Sequence, residues 1–176
     1  MNEIILWIIQ ALWFILPAYI ANPTPVIVGG KTPLDFNRKF FDNNPIFGKG
    51  KTWRGTFFGI LAGTAAAYIQ IQIQSSYDLG AFSLTEMTLP LGFLLSSGAI
   101  IGDITKSFLK RRINIKRGSE LPLFDQLDFI IGALIFASFV TEITLRTIII
   151  LVIITPVIHR LANILAYRLK LKNVPW

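Results

Sequence analysis

Residues 102–128, GDITKSFLKRRINIKRGSELPLFDQLD, gather Lys106, Lys110, Arg111, Arg112, Lys116 and Arg117 and then place Asp125 and Asp128 three residues apart. Cations at this density suit a polyphosphate. Carboxylates at i and i+3 share a helix face, so both reach one divalent cation that would bridge the phosphates. The plainer alternative is a pair of acids complementing a helix N-terminus. Because the segment lies between two long apolar runs, the chemistry it suggests is phosphate chemistry at a lipid–water boundary.

Asp103 weakens the plainer alternative. It sits inside an apolar stretch, GAIIGD, about two turns before the basic cluster. An acid at membrane depth is costly and is functional by default. Asp103 is therefore expected to be a third metal ligand or a supporting group, with a salt bridge to Lys106 as the competing reading. Gly102 beside it allows a neighbouring backbone or ligand to come close. Lys106 and Lys110 lie one turn apart, so this helix end offers acid and base together. Arg112 reads as a topological charge that snorkels to the interface.

A second basic block, Phe47-Gly-Lys-Gly-Lys-Thr-Trp-Arg54-Gly55, runs straight into an apolar segment. Glycines expose backbone N–H groups, the helix N-terminus adds partial positive charge, and Lys49, Lys51 and Arg54 add full charges, a combination suited to phosphates. Gly50 and Thr52 fit that role better than a merely topological one, which needs only charge. The GKGKT run is not a P-loop, since it lacks that pattern's leading glycine and no strand is expected before it. The 35 residues from Ala21 to Gly55 carry Phe36, Phe40, Phe41, Phe47 and Trp53, with Pro23, Pro25, Pro33 and Pro45 as stiffeners. This loop is expected to pack as a cap.

These blocks must be held by membrane helices. The chain has 176 residues, 53% of them hydrophobic and 15% charged, where a soluble domain carries about 25% charged residues. Mean hydropathy is +0.59. One membrane domain over residues 1–176 is expected, with functional loops at about 22–54 and 110–125. Segments near the roughly 20 residues needed to cross a bilayer are Ile4–Ala21, Thr56–Ile73, Leu89–Leu109, Phe129–Ile143 extended a little at both ends, and Thr147–Leu169. Loops one and three are rich in Lys and Arg and loop two has none, which predicts five spans with the N-terminus outside and the C-terminus cytoplasmic. The expected location is the cell membrane, multi-pass, with the active site facing the cytoplasm.

Part of the formal charge of +7 is thus topological, and no nucleic-acid partner is expected. With no cysteine and a single His159, thiol chemistry and multi-histidine metal sites are excluded. Pro17 is read as a kink in span one. Gly55, Gly59 and Gly63 lay a groove along span two for helix packing or a lipid chain, and that face permits a homodimer. Glu142 and Arg146 are expected to pair at the outer surface. Gln70, Gln72 and Gln74 read as the tapering outer end of span two, and His159 as a packing residue.

The blocks GGKTPLDF and IFGKGKTWRG, with Asn-Pro after span one, resemble the archaeal CDP-archaeol synthases, over essentially the whole chain. They also look like a reduced form of the CDP-diacylglycerol synthases. The later signature of those enzymes is met by Ser107, Lys110, Arg111, Lys116, Leu121, Pro122, Asp125 and Asp128. The chain departs from that signature at Arg117 and Gln126 and lacks its H-G-G, and Arg54 stands where the K-T-x-E-G stretch of those enzymes has Glu. The resemblance implies CTP-dependent cytidylyl transfer to an unsaturated ether-lipid phosphate. It implies that Mg²⁺ is held by Asp125 and Asp128 with Asp103 in support, and it alone suggests K⁺ as a second cation. Catalytic roles would fall to Lys51, Arg54, Lys110 and Arg111. CTP would be held by Lys49, Gly50, Lys51, Thr52, Arg54, Lys106 and Lys110, and the lipid phosphate by Lys116 and Arg117. Rival readings are a small transporter or lipid-binding scaffold without turnover, or a CDP-alcohol phosphotransferase or prenyltransferase. The chain has no D-G-x-x-A-R and only one D-x-x-D cluster.

Overall fold

The structure is a computed structural model that describes residues 2–115, 119, 121 and 123–171. Among these it is all helical: α1 (Glu3–Ala21), α2 (Thr24–Val28), α3 (Trp53–Ser76), α4 (Leu89–Arg112), α5 (Phe124–Ala137) and α6 (Leu145–Arg168), with a short 3₁₀ turn at Gly80–Phe82. Helix starts are set by short polar caps. Asn2, Thr52, Thr88 and Thr144 each accept a backbone N–H from the first turn of the helix that follows.

Four of the five expected spans match long helices to within three residues at each end. The fourth differs. Sequence predicts Phe129–Ile143, extended a little at both ends with Asp125 and Asp128 at its start; α5 does begin at Phe124, but it stops early, at Ala137. Its 14 residues extend about 21 Å at 1.5 Å per residue, and the segment Ser138–Thr144 turns the chain into α6. By length and composition α1 with α2, α3 and α6 are apolar enough to cross a membrane. Helix α4 falls short because its last three turns hold the charged cluster.

Side-chain contacts define two ends of the bundle. At one, Gln10 and Trp13 of α1 donate to the carbonyls of Phe82 and Thr85, Gln74 of α3 bonds Thr85 and Met87, and Arg146 at the start of α6 lies 4.8 Å from the Trp7 ring. Arg146 thus stacks on an indole, and no pair with Glu142 forms among the described residues. At the other end lie the C-termini of α1, α4 and α6 and the N-termini of α3 and α5. Tyr19 bonds Thr155 at 2.9 Å, and Phe129 stacks on His159.

Gln70 is not the outer taper that sequence suggested. It is 1% exposed, and its amide donates to the Trp13 carbonyl at 2.8 Å. The cause is Pro17, which has no N–H to give the carbonyl four residues earlier. Helix α1 continues through Pro17 because α3 supplies the missing donor.

Glycines set the helix spacing. A Cβ at Gly63 would overlap Ser96 and the Pro17 carbonyl, and one at Gly59 would lie 2.7 Å from Ile100. The Gly55/59/63 stripe is therefore filled by α1, α2 and α4 of the same chain. Helices α4 and α5 approach more closely still. A Cβ at Gly98 or Gly102 would overlap the carbonyls of Gly132 or Asp128, and one at Gly132 would overlap Gly98. Backbone touches backbone here, and side chains flanking the seam cannot drift apart.

Loop one closes over that end. The buried Asp35 carboxylate accepts N–H bonds from Asn37 (3.0 Å), Phe47 (3.0 Å) and Gly48 (2.8 Å). Burial alone would raise its pKa, but these backbone donors outweigh that and hold it below the usual carboxylate range. Leu34 and Trp53 pair with Lys51 and Thr32, fixing the backbone at Lys51. The loop then clasps the end of α4. Phe108 packs between Phe40 and Phe47, and the Arg112 guanidinium stacks on Phe40 and Phe108 while donating to Asp42 (2.8 Å) and the Pro45 carbonyl (2.6 Å). Arg112 is thus a structural clasp and not a snorkelling topological charge.

Two outcomes follow. Gly102→Val should lower the thermal unfolding midpoint in detergent, since forced overpacking costs about 1–3 kcal/mol. Gly80→Ala, where a Cβ would meet only an Asp78 oxygen at 3.1 Å, should not. Asp35→Ala should cost about 1.5–3 kcal/mol, the worth of hydrogen bonds to a charged group. Because the folded-state pKa is depressed, the Asp35 contribution is full above the unfolded value of about 4 and fades as pH falls through the lower folded value. Unfolding midpoints of wild type and Asp35→Ala should therefore differ at neutral pH and converge in acid.

Candidate functional site

Helix α4 presents Asp103, Lys106 and Lys110 along one face, and α5 presents Asp125 and Asp128 at i and i+3. The glycine seam sets these two rows side by side. Loop one brings in Lys51 from the N-cap turn of α3.

The result is a closed ionic network. Lys106 is its hub, with its ammonium 3.2 Å from Asp103, 3.4 Å from Asp125 and 2.7 Å from Asp128. The Asp128 contact is a close ion pair, although that oxygen makes no well-aimed hydrogen bond. Lys51 pairs with the other Asp103 oxygen. Lys110 grips both Asp125 oxygens at 2.9 and 2.8 Å and the Ser119 carbonyl at 2.7 Å. Asp125 also accepts the Leu121 N–H at 2.7 Å, which orders the entry to α5. None of the six side chains is more than 22% exposed. Three lysines and three aspartates cancel, so the cluster lies in the bundle end without net charge.

Of the residues singled out by sequence, Lys51, Lys106, Lys110, Asp103, Asp125 and Asp128 come together. The salt bridge between Asp103 and Lys106, the competing reading of that acid, is present. Others stand apart from the network. Thr52 is buried as the α3 cap, donated to by Gly55 at 3.1 Å. Lys49 and Gly50 are exposed on the turn before Lys51. Arg54 is exposed on the first turn of α3, its guanidinium 6.0 Å from the Phe58 ring. Arg111 donates to the Ile115 carbonyl at 2.6 Å and closes the end of α4. Lys116 and Arg117 lie outside the described residues.

Sequence reasoning missed Asp35 and Asp42. The available signal was an acid two residues before an Asn in each case, Asp35-Phe-Asn37 and Asp42-Asn-Asn44, the spacing at which a carboxylate caps a turn. What the acid then held could not be read from the chain.

Among the described residues, no three acidic or histidine side chains stand as a ready metal cage. The reason is visible: the Lys106 ammonium lies between the carboxylates. The donor set nonetheless fits a hard divalent cation. Three carboxylates from two rigidly apposed helices already converge on one positive charge, and oxygen ligands of this type suit Mg²⁺.

Comparison with known proteins identifies the family. The sequence model of the CarS-like family, described as CDP-archaeol synthase, matches residues 2–176. The CDP-archaeol synthase of Pyrococcus abyssi is 47% identical over 169 residues, covering 96% of this chain and 98% of that protein. That of Methanocaldococcus jannaschii is 47% identical over 171 residues, covering 94% and 96%. A solved structure of an intramembrane enzyme for archaeal membrane lipid biosynthesis superposes with a TM-score of 0.78 at 34% identity, covering 89% of this chain and 94% of that one. A family model that spans residues 2–176 and relatives 47% identical over nearly the whole chain show that this protein belongs to the CDP-archaeol synthase family.

Proposed function

We propose that this chain transfers the cytidylyl group of CTP to an isoprenoid ether-lipid phosphate, 2,3-di-O-geranylgeranylglyceryl phosphate, giving CDP-archaeol and pyrophosphate. The observation that carries this reading is the single cluster in which Lys51 of block one meets Lys106, Lys110, Asp103, Asp125 and Asp128 of block two. Family membership supplies the substrates.

In the reaction an oxygen of the lipid phosphate attacks the α-phosphorus of CTP. The bond from that phosphorus to the β-phosphate oxygen breaks, and pyrophosphate leaves. A phosphate monoester, with a second pKa of about 6, is already an anionic nucleophile at neutral pH. No general base is required, which suits a site built only of lysines and aspartates. The barrier is crowding of negative charge, and fixed cations are the remedy.

Asp125 and Asp128, with Asp103 behind them, would hold Mg²⁺. When bound, Mg²⁺ would neutralise and orient the triphosphate. Lys51, Lys106 and Lys110 are assigned to triphosphate oxygens. The turn at Lys49 and Gly50 is assigned to backbone N–H contacts, with Thr52 holding that turn through its cap. Arg54 and Arg111 flank the cluster, and Lys116 with Arg117 are assigned to the lipid phosphate. The exposed apolar faces of α3 and α6 support contact with lipid chains.

The proposed setting is a cell membrane crossed five times, with the N-terminus outside and the cluster on the cytoplasmic side. The short α5 would cross as a protein-packed helix with the bilayer locally thinned beside it. Cysteines introduced at Ser76 and Ser119 should label from opposite sides of sealed vesicles. Labelling of both from one side would overturn the topology.

Pyrophosphate release from CTP should require a lipid phosphate, and the corresponding unphosphorylated alcohol should give none. Lys51→Ala should lower turnover far more than Lys39→Ala, because Lys39 contributes only exposed charge. Turnover with the alcohol, or equal losses in the two variants, would show that topological charge had been mistaken for an active site.

A further inference from the structure

We infer that Lys106 is a built-in counter-cation that holds the metal position in the empty enzyme, so that divalent metal and nucleotide enter the site together and not singly. The inference rests on the proposed assignment of Asp103, Asp125 and Asp128 to metal, and it deepens that assignment.

Geometry carries the argument. One ammonium lies within 3.4 Å of carboxylates on two helices, and among the described residues no other cation pairs with Asp128. The Gly98, Gly102 and Gly132 contacts hold the two backbones together, and the position between the three carboxylates is taken by the Lys106 ammonium. A metal bridging these carboxylates must therefore displace the Lys106 ammonium. Lysine can leave, since its charge rides on a four-carbon stem with free rotation. It cannot leave for nothing. The neighbouring cations Lys51 and Lys110 are held by Asp103 and Asp125, and the cluster lies at the end of an apolar bundle. A displaced ammonium needs a new anion, and the triphosphate is the anion that arrives with the metal.

The consequence is a coupling between two ligands. Metal alone meets a site whose charge is already balanced. Nucleotide alone meets lysines already paired. Together they exchange partners, carboxylates taking the metal and Lys106 taking phosphate. Linkage requires the coupling to be reciprocal. It also gives Lys106 a positioning role, because only a metal–nucleotide pair releases it.

Binding of Mn²⁺, followed by electron paramagnetic resonance on purified full-length protein without nucleotide, tests this directly. Wild type should bind Mn²⁺ weakly. Lys106→Met should bind it at least about tenfold more tightly, since the population barred by the ammonium is freed. Lys106→Arg, which keeps a cation there, should stay as weak as wild type. In the absence of metal, Lys106→Met should also unfold at a lower temperature than wild type and recover more on adding Mn²⁺. If the methionine variant fails to fold, Lys106→Gln, which retains donors for the carboxylates, gives the same comparison. Equal or weaker Mn²⁺ binding without Lys106 would overturn the inference. The failure of the metal assignment itself reads differently. In that case, Asp125→Asn and Asp128→Asn would leave binding of the Mn²⁺–CTP complex unchanged.

Discussion

The contact on which this structure depends is the backbone-to-backbone seam between α4 and α5. Gly98, Gly102 and Gly132 remove every Cβ from it, and any added methyl would strike a carbonyl or main-chain carbon. Inside a membrane, helices gain little from burying apolar surface against one another, because lipid is equally apolar; close packing is what holds them. The seam therefore does two things at once. It locks a short helix that could not cross a bilayer unaided onto a long one. It also sets Asp128, whose carbonyl touches Gly102, beside Asp103, the next residue of α4. The carboxylate cluster is a geometric consequence of where the glycines are.

Once acids from two helices are forced together near an apolar core, their charge must be met. Lysines from α4 and loop one do this, and the six charges cancel. Such a network is weak evidence for stability, since desolvation offsets most of the attraction. Deleting one member would leave a buried charge unmatched, at a cost of about 3–5 kcal/mol. Hydrophobic replacement of buried ionic groups is often neutral or stabilising. The charged groups are therefore what the proposed chemistry calls for, and the glycines are explained by packing. Loop one fits the same division. Asp35 and Arg112 shape and dock it, and Lys51 is what it delivers.

Much of this was legible in the chain, and the reasons differ from residue to residue. Long helices follow from apolar length, so α1, α3, α4 and α6 were placed to within three residues at each end. The end of α5 was not, because Phe139, Val140 and Ile143 continue the apolar run while the backbone turns at Ser138. Asp103, Asp125, Asp128, Lys51, Lys106 and Lys110 were found because charge beside apolar sequence is conspicuous. Asp35 and Asp42 were missed because acids in a polar loop are not. Gln70 was misread for a related reason. Its partner is the carbonyl that Pro17 leaves open on another helix, and no local spacing reports a vacancy 57 residues away.

The same logic explains why Arg54 and Thr52, prominent in sequence, lie outside the ionic cluster. A helix start has one N-cap position, and Thr52 fills it with its hydroxyl turned inward to Gly55. The chain direction at Lys51 is then fixed by the cap on one side and by pairing with Leu34 on the other. Lys51 points to Asp103, and three residues on, Arg54 emerges on the first turn of α3 with its charge in the open. Two cations of one motif thus face different surroundings. Lys51 is held against a carboxylate and, in the proposed reaction, exchanges that partner for phosphate. Arg54 stands exposed beside Phe58 and can meet an anion without breaking an ion pair among the described residues. The motif therefore supplies one cation built into the site and one at its rim, and only the first is tied to the balance of charge between α4 and α5.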